Sequence, residues 1–264
     1  MSSYTFGQKA FTPVPPDKGS FPLDHEGLCK KLMIKYMTCL RTNDNDNSFC
    51  REEARDYLAC RMDNNLMTRE DWSKLGMVNL LIGCTGSVAT IKLPVLIRDL
   101  LEQNSFNVEI QVITTERARH FFTKEELPEN VVLYTDEDEW KTWTKRGDPI
   151  IHIDLGKWAD IFVIAPLDAN TLAKIANGIC DNLLTCTARA WDVKKPLLFC
   201  PAMNTRMYEH PLTFQQISIL QSWGYKLVPV IEKTLMCGET GAGAMAEVAT
   251  IVEYLKTCIS TLNE

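Results

Sequence analysis

The chain has 264 residues, 45% of them hydrophobic and 23% charged, with a net charge of −6. That balance belongs to folded globular proteins and excludes disordered, collagen-like and membrane-spanning classes. No apolar run approaches the roughly 18 residues a spanning helix needs. The acidic excess argues against a sequence-independent grip on nucleic-acid phosphates, and no basic helix suggests a lipid surface. Small molecules and proteins remain as the expected partners.

Residues 1–20 (MSSYTFGQKAFTPVPPDKGS) carry neither the apolar core of a secretory signal nor an Arg-rich amphipathic stripe. Residues 1–24 are therefore expected to be a flexible lead-in. Residues 26–40 and 50–66 read as two amphipathic helices, separated by the Asn/Asp-rich stretch from Arg41 to Ser48. Together they predict a helical hairpin over residues 25–70, followed by a linker at 71–76. Charge changes at that boundary. Up to Gly76 there are 11 Lys+Arg against 11 Asp+Glu, and beyond it 17 against 23, so the whole deficit lies downstream.

Cys29 and Cys39 are separated by nine residues, and so are Cys50 and Cys60. Within one helix that step rises ~15 Å, well past the ~7 Å limit on Cα separation in a disulfide, so neither motif closes on itself. A short turn makes the two helices antiparallel, which brings Cys39 beside Cys50 and Cys29 beside Cys60. Nested disulfides Cys29–Cys60 and Cys39–Cys50 follow, each worth roughly 2–4 kcal/mol to so small a unit. Four free thiols in a hairpin are the alternative. A metal site is not expected, because C-x2-C spacing is absent and no His lies beside the cysteines.

The segments PPDKGSFPLDHEGLC and CREEARDYLACRM, with the paired C-x9-C spacing, resemble the twin C-x9-C (coiled-coil-helix-coiled-coil-helix) proteins that include cytochrome c oxidase assembly factors. The resemblance implies a partner-binding, redox-linked module of the cytosol and mitochondrial intermembrane space, with a copper-linked role in assembly.

From Met77 the pattern changes to short β-rich runs alternating with helical ones. VNLLIG, VEIQVIT, NVVLY, DIFVIAP, PLLFCP and KLVPV read as strands, and a last helix runs from Ala246 to Leu262. The alternation predicts an α/β domain over residues 77–264, a parallel sheet with helices on both faces. The first strand ends in Gly83-Cys84-Thr85-Gly86-Ser87, and a helix begins near Val88. A Gly and hydroxyl loop entering a helix offers free backbone N–H groups to a phosphate. The spacing is neither G-x-G-x-x-G nor a P-loop, which favours a mononucleotide such as FMN over NAD or ATP. Such a turn also serves simply to join a strand to a helix.

Other strand ends are polar: Thr114 and Thr115, then Asp168, Asn170 and Thr171, then Ala202-Met203-Asn204. In open parallel sheets these ends converge on one crevice, although Asp168, Asn170 and Thr171 also suit helix capping. His152, in PIIHIDL with Asp154 two residues on, is the candidate for proton transfer; a lone His is also a common structural residue. Cys237 lies in MCGETGAG, whose glycines suggest a mobile flap carrying a thiol. Cys84, Cys180, Cys186, Cys200 and Cys258 read as core or near-core residues.

Taken in order, G-x-TGSVA, VITTERARHFF, DPIIHIDL, KWADIFVIAPLDANTLAKIANGICDNLLTCTARAWD, KPLLFCPAMNTRMYEHP and CGETGAGAMAE closely resemble the phosphopantothenoylcysteine decarboxylases, a branch of the homo-oligomeric flavin-containing cysteine decarboxylases. The resemblance implies a flavodoxin-like (Rossmann-like) fold and a cytoplasmic homotrimer with FMN held between subunits. The implied reaction decarboxylates 4'-phosphopantothenoylcysteine to 4'-phosphopantetheine in coenzyme A biosynthesis, with FMN as transient electron acceptor. By motif the FMN contacts are Gly86, Ser87, Val88, Thr114, Thr115, Phe121, Asp168, Ala169, Asn170, Thr171 and Ala202. His152 matches the family's catalytic histidine, Asn204 its substrate-carboxylate residue and Cys237 its proton donor. Two positions depart from the pattern: Gly156 and Lys157 stand where two basic residues are common, and Tyr208 where Trp is common. An assembly factor whose flavin domain is regulatory, like the phosphatase inhibitors of the same fold, is the alternative. Disulfides in the first module and a cytosolic enzyme in the second imply different compartments.

Overall fold

Two antiparallel helices, α1 (Lys30–Thr42) and α2 (Arg51–Asp63), begin the computed structural model, which describes residues 23–42, 50–69, 78–102, 108–234 and 240–262. The chain divides into two compact units, residues 1–75 with 262–264, and residues 76–261. In the first, Leu32, Tyr36, Cys39 and Leu40 recur at helical spacing on the shielded side of α1. Tyr36 stacks on Tyr57 of α2 with ring centroids 6.3 Å apart. Both nested disulfides are present, Cys29–Cys60 and Cys39–Cys50, each with a Cα separation of 5.8 Å.

The helix ends differ from expectation for local reasons. α1 starts at Lys30 rather than residue 26 because Asp24 holds the preceding turn, its carboxylate accepting from the N–H of Leu28 and of Cys29 at 2.9 Å. α2 stops at Asp63, and Asn65 takes a left-handed φ of 55°, which ends helical continuation. The lead-in up to residue 22 and the expected linker 71–76 lie outside the described residues.

In the second unit β1 (Val78–Cys84) leads through a 3-10 turn to α3 (Leu93–Glu102), then β2 (Val108–Thr114) and β3 (Val132–Tyr134). Two helices, α4 (Asp136–Thr142) and α5 (Ile151–Trp158), precede β4 (Ile161–Leu167). After β4 come α6 (Ala169–Asn177) and α7 (Leu183–Arg189), then β5 (Leu197–Pro201). The chain continues through α8 (Thr205–Tyr208), α9 (Pro211–Ser222), β6 (Lys226–Leu227), the strands β7 (Ile231–Thr234) and β8 (Thr240–Ala244), and α10 (Val248–Leu262).

Six strands pair in the order β3-β2-β1-β4-β5-β6, all parallel. Such a sheet needs helical crossovers that cover both faces, and β4, with IFVIAPL buried at every position, shows the consequence. Its alternate side chains point opposite ways. Ile161, Val163 and Ala165 join the layer of α3 and α10, through Leu96, Ile97, Ile251 and Leu255. Phe162 and Ile164 join the layer of α5, α6, α7 and α9, through Leu155, Leu172, Leu184 and Leu220. Cys84 and Cys200 sit in the first layer; burial pushes the Cys84 thiol up to about 12 and the Cys200 thiol up as well, so both are inert core residues.

One expected strand is shorter than foreseen, and two strands were not foreseen, β7 and β8. KLVPV yields only a two-residue strand, since Pro229 has no N–H for a ladder. The glycine-rich stretch forms β8, which pairs antiparallel with β7 in a separate sheet.

Phe162 is fully buried, and its ring lies 5.4 Å from that of Trp191. Phe162→Ala is expected to lower unfolding free energy by about 3–5 kcal/mol, read as a shift in the urea midpoint at constant slope.

Candidate functional site

The strand order reverses between β1 and β4, and the crossovers leave in opposite directions there, so the strand ends open a crevice. Thr85, fully buried, pins the two sides together. Its hydroxyl donates to the carbonyl of Pro166 at 3.0 Å and accepts from the N–H of Asp168 at 2.8 Å. Its carbonyl accepts from the Thr90 hydroxyl at 2.7 Å. The partners of Thr85 explain why the expected motifs meet: one hydroxyl joins the loop after β1 to the loop after β4. β2 joins through Thr115, whose N–H donates to the Cys84 carbonyl at 3.1 Å, and β5 through Ala202, whose N–H donates to the Leu167 carbonyl at 3.0 Å.

Gly86 marks the closest approach of these loops. A Cβ at this position would stand 2.7 Å from Cβ of Arg117 and 3.4 Å from an Asp168 carboxylate oxygen, so any larger residue would fill the cradle. Ser87 starts the 3-10 turn and accepts from the Ala89 N–H at 3.4 Å. Asp168 does cap α6, accepting from the Thr171 N–H at 2.6 Å. Capping and proximity to Gly86 therefore coexist in one residue. Asn170 is exposed, Ala169 is partly buried and Thr171 is buried.

Two clefts flank this cradle. One, about 710 Å³ and open, lies against Gly86, Arg117 and Phe121. The other, about 340 Å³, lies between the 3-10 turn, the strand end Ala202-Met203-Asn204 and the β7–β8 hairpin, with Ser87 and Val88 in its wall. Of the expected flavin contacts, Gly86 and Phe121 line the first cleft and Ser87, Val88 and Ala202 the second; Asp168 lies against Gly86, Thr114 and Thr115 are buried, and Ala169, Asn170 and Thr171 line neither cleft. An absent Cβ between two loops, the first amides of a helical turn and an apolar wall with Val88, Ala202 and Met245 form a donor set and shape that fit a flavin mononucleotide.

Asn204 lines the second cleft and caps α8, its side-chain oxygen accepting from the Arg206 N–H at 2.9 Å. β8 rests directly on this segment. The Met203 N–H donates to the Gly243 carbonyl at 2.9 Å, and a Cβ on Gly243, whose φ is 132°, would stand 2.5 Å from the Met203 carbonyl oxygen. At Gly241 a Cβ would collide with Thr205 at 2.7 Å. These glycines permit close backbone packing where the described part of the expected flap meets this segment. Cys237 lies outside the described residues.

His152 sits in the first turn of α5, half-buried, and lines neither cleft. Its partner is not the neighbouring Asp154, which is exposed, but Glu139 of α4, whose carboxylate meets Nδ1 of His152. α4 is placed by a capping box of Thr135 and Asp138, and by Asp136, which accepts from the Leu183 N–H at 2.8 Å. Burial raises the Asp136 carboxyl above its usual range, against that hydrogen bond, with Glu116, Glu139 and Asp181 adding to the rise. Glu139 and Thr85 are the residues that sequence reasoning missed. Thr85 lay inside a motif already singled out; Glu139 stands thirteen positions before its partner, with no periodic relation to it.

Residues 68–260 match the sequence profile of the flavoprotein family, and the chain belongs to that family. It is 56% identical over 181 residues to the phosphopantothenoylcysteine decarboxylase of Mus musculus, covering 69% of this chain and 87% of that one. With the phosphopantothenoylcysteine decarboxylase of Oryza sativa subsp. japonica it shares 52% identity, covering 65% and 76%. Among solved structures it resembles a cysteine-to-serine mutant of PPC decarboxylase complexed with pantothenoylaminoethenethiol, at a TM-score of 0.66 and 48% identity over 69% of this chain and 97% of that one. The FMN binding protein AtHal3 gives a TM-score of 0.63 at 48% identity, covering 68% and 95%.

The Thr85 pin makes a direct prediction. Thr85→Val keeps the side-chain shape but leaves the Pro166 carbonyl and the Asp168 N–H without their buried partner, which costs about 1–3 kcal/mol in denaturant unfolding.

Proposed function

We propose that this chain decarboxylates 4'-phosphopantothenoylcysteine to 4'-phosphopantetheine, a carbon–carbon lyase step in coenzyme A biosynthesis, with FMN as cofactor. The observation that carries the reading is the Gly86–Ser87 turn, whose Ser87 shares the wall of one cleft with Asn204, in a chain that matches decarboxylases at 52% identity and above over 172 residues or more.

Gly86, Ser87 and Val88 hold the flavin from the first turn, with Thr114, Thr115 and Phe121 on one side and Asp168, Ala169, Asn170, Thr171 and Ala202 on the other. Bound FMN supplies a transient two-electron acceptor, so that the substrate's cysteinyl side chain is oxidised for loss of CO2 and then reduced again. Asn204 orients the substrate carboxylate through its side-chain amide, its oxygen being engaged in the α8 cap. His152 takes the substrate proton at Nε2, because Glu139 occupies Nδ1 and fixes the ring. Cys237, by its place in CGETGAG, returns a proton in the reductive half.

A homotrimer suits this arrangement. His152 is absent from the walls of both clefts, and α8 and α9 expose Met207, Leu212, Phe214 and Ile219 at 38–50% of their surface. Apolar side chains on that scale favour cover by another copy, which brings His152 of one protomer to a neighbour's flavin. The disulfide hairpin is a twin C-x9-C partner-binding module, directing the chain toward the mitochondrial intermembrane space while the enzyme unit suits the cytoplasm. The two disulfides support that reading.

The test is mass-spectrometric, with purified full-length protein and 4'-phosphopantothenoylcysteine. The wild type is expected to lose CO2 and yield 4'-phosphopantetheine, His152→Asn to lose at least 100-fold in rate, and Cys237→Ser to release the decarboxylated but unreduced compound. Glu139→Gln is expected to lower kcat at least tenfold with little change in KM. Tightly bound FMN without any product from the wild type would overturn the enzymatic reading in favour of a regulatory flavoprotein.

A further inference from the structure

Among its described lining residues, the cleft beside Asn204 carries charge at two points, Lys92 of the 3-10 turn and Lys233 of β7. These come from opposite walls, yet they converge. Lys92 Nζ donates to one carboxylate oxygen of Glu247 at 2.7 Å, and Lys233 Nζ to the other at 3.3 Å. Two ammonium groups gathered on one carboxylate leave one positive charge in surplus among the described residues of the cleft wall.

The surrounding body is acidic, with 17 Lys+Arg against 23 Asp+Glu from residue 77 onward. A local cationic surplus on such a background favours an anion there. Lys92 is 29% exposed and Lys233 55%, with Glu247 at 50%. Ion pairs this open to water are weak, so the ammonium groups exchange a carboxylate oxygen for a phosphate oxygen without stranding a charge. Lysine serves phosphate as a point charge on a flexible stem, and a pair approaching from two walls meets the separate oxygens of one phosphomonoester.

The other candidate for that task stands elsewhere. Lys157 occupies the last turn of α5, the helix that carries His152, and like His152 it lines neither cleft of its own protomer, so it accompanies His152 rather than Lys92 and Lys233.

We propose that Lys92 and Lys233, gathered by Glu247, form the subsite for the phosphomonoester of the substrate, at the opposite end of the cleft's ligand from the carboxylate held by Asn204. This rests on the decarboxylase reading. Glu247 is a positioning residue: it keeps both ammonium groups at the mouth, and their approach lowers its own carboxyl below the usual range, Lys92 contributing most.

The experiment compares kcat/KM for 4'-phosphopantothenoylcysteine with that for pantothenoylcysteine, in full-length wild type and in Lys92→Gln, Lys233→Gln and the double variant. The wild type is expected to prefer the phosphorylated compound, each single variant to lose about tenfold of that preference through KM, and the double variant to show almost none. Lys92→Arg and Lys233→Arg are expected to keep it, which separates charge from folding. Calorimetric binding of 4'-phosphopantetheine against pantetheine reads the same subsite without turnover. An undiminished preference in the double variant overturns the subsite while leaving the decarboxylase reading intact. A wild type that turns over neither compound but binds 4'-phosphopantetheine more tightly through these lysines sinks the reaction and keeps the subsite; equal binding of both ligands sinks the subsite too.

Discussion

One buried hydroxyl carries the geometry of the site. A parallel sheet delivers all its strand ends to one edge, but delivering them does not fix their mutual register, since each loop is free to relax on its own. Thr85 removes that freedom by taking a hydrogen bond from the loop after β4 and giving one back to it. The buried Pro166 carbonyl finds its partner in the Thr85 hydroxyl, and leaving it unpaired would cost free energy. With the two loops tied, the gap at Gly86 leaves no room for a Cβ, and the helical turn after Ser87 begins where a phosphate's oxygens would meet its first amides.

The same edge explains what the sequence makes legible and what it hides. Strand runs such as DIFVIAP and VEIQVIT announce themselves because burial on both faces leaves little choice of side chain. Gly86, Asp168 and Asn204 stand out because polar or glycine residues follow those runs at once. Glu139 does not stand out. It lies in an acidic stretch, DEDEW, that reads as a solvated helix face, and only the packing of α4 against α5 turns one of its carboxylates toward His152. Contacts between elements distant in sequence leave no period to detect, and side-chain pairs of that kind become visible only with the fold.

The hairpin shows the opposite case. Its cross-links were readable without any knowledge of packing, because a ten-residue step within a helix is too long for a disulfide and an antiparallel pair admits one nested solution. A covalent constraint with few solutions survives translation from sequence to structure better than any contact made by dispersion. The helix boundaries fared less well: Asp24 and Asn65 decide them by local hydrogen bonding and backbone conformation, effects weaker than the hydrophobic pattern that suggested them.

Glycine is where the two levels of argument part most sharply. A run such as TGAGA has little strand propensity, and mobility is the natural reading of a segment without side chains. Gly243 and Gly241 instead lie in β8, where the backbone comes so near Met203 and Thr205 that a methyl group has no room. The residue that gives a free chain its greatest latitude gives a packed one its closest approach. Close packing at β8 has a consequence for the cleft: the wall that carries Lys233 is joined to the segment that carries Asn204, through the Met203 to Gly243 hydrogen bond and the β7–β8 ladder. The backbone that carries Lys233 and the backbone that carries Asn204 are thus joined into one wall of the cleft.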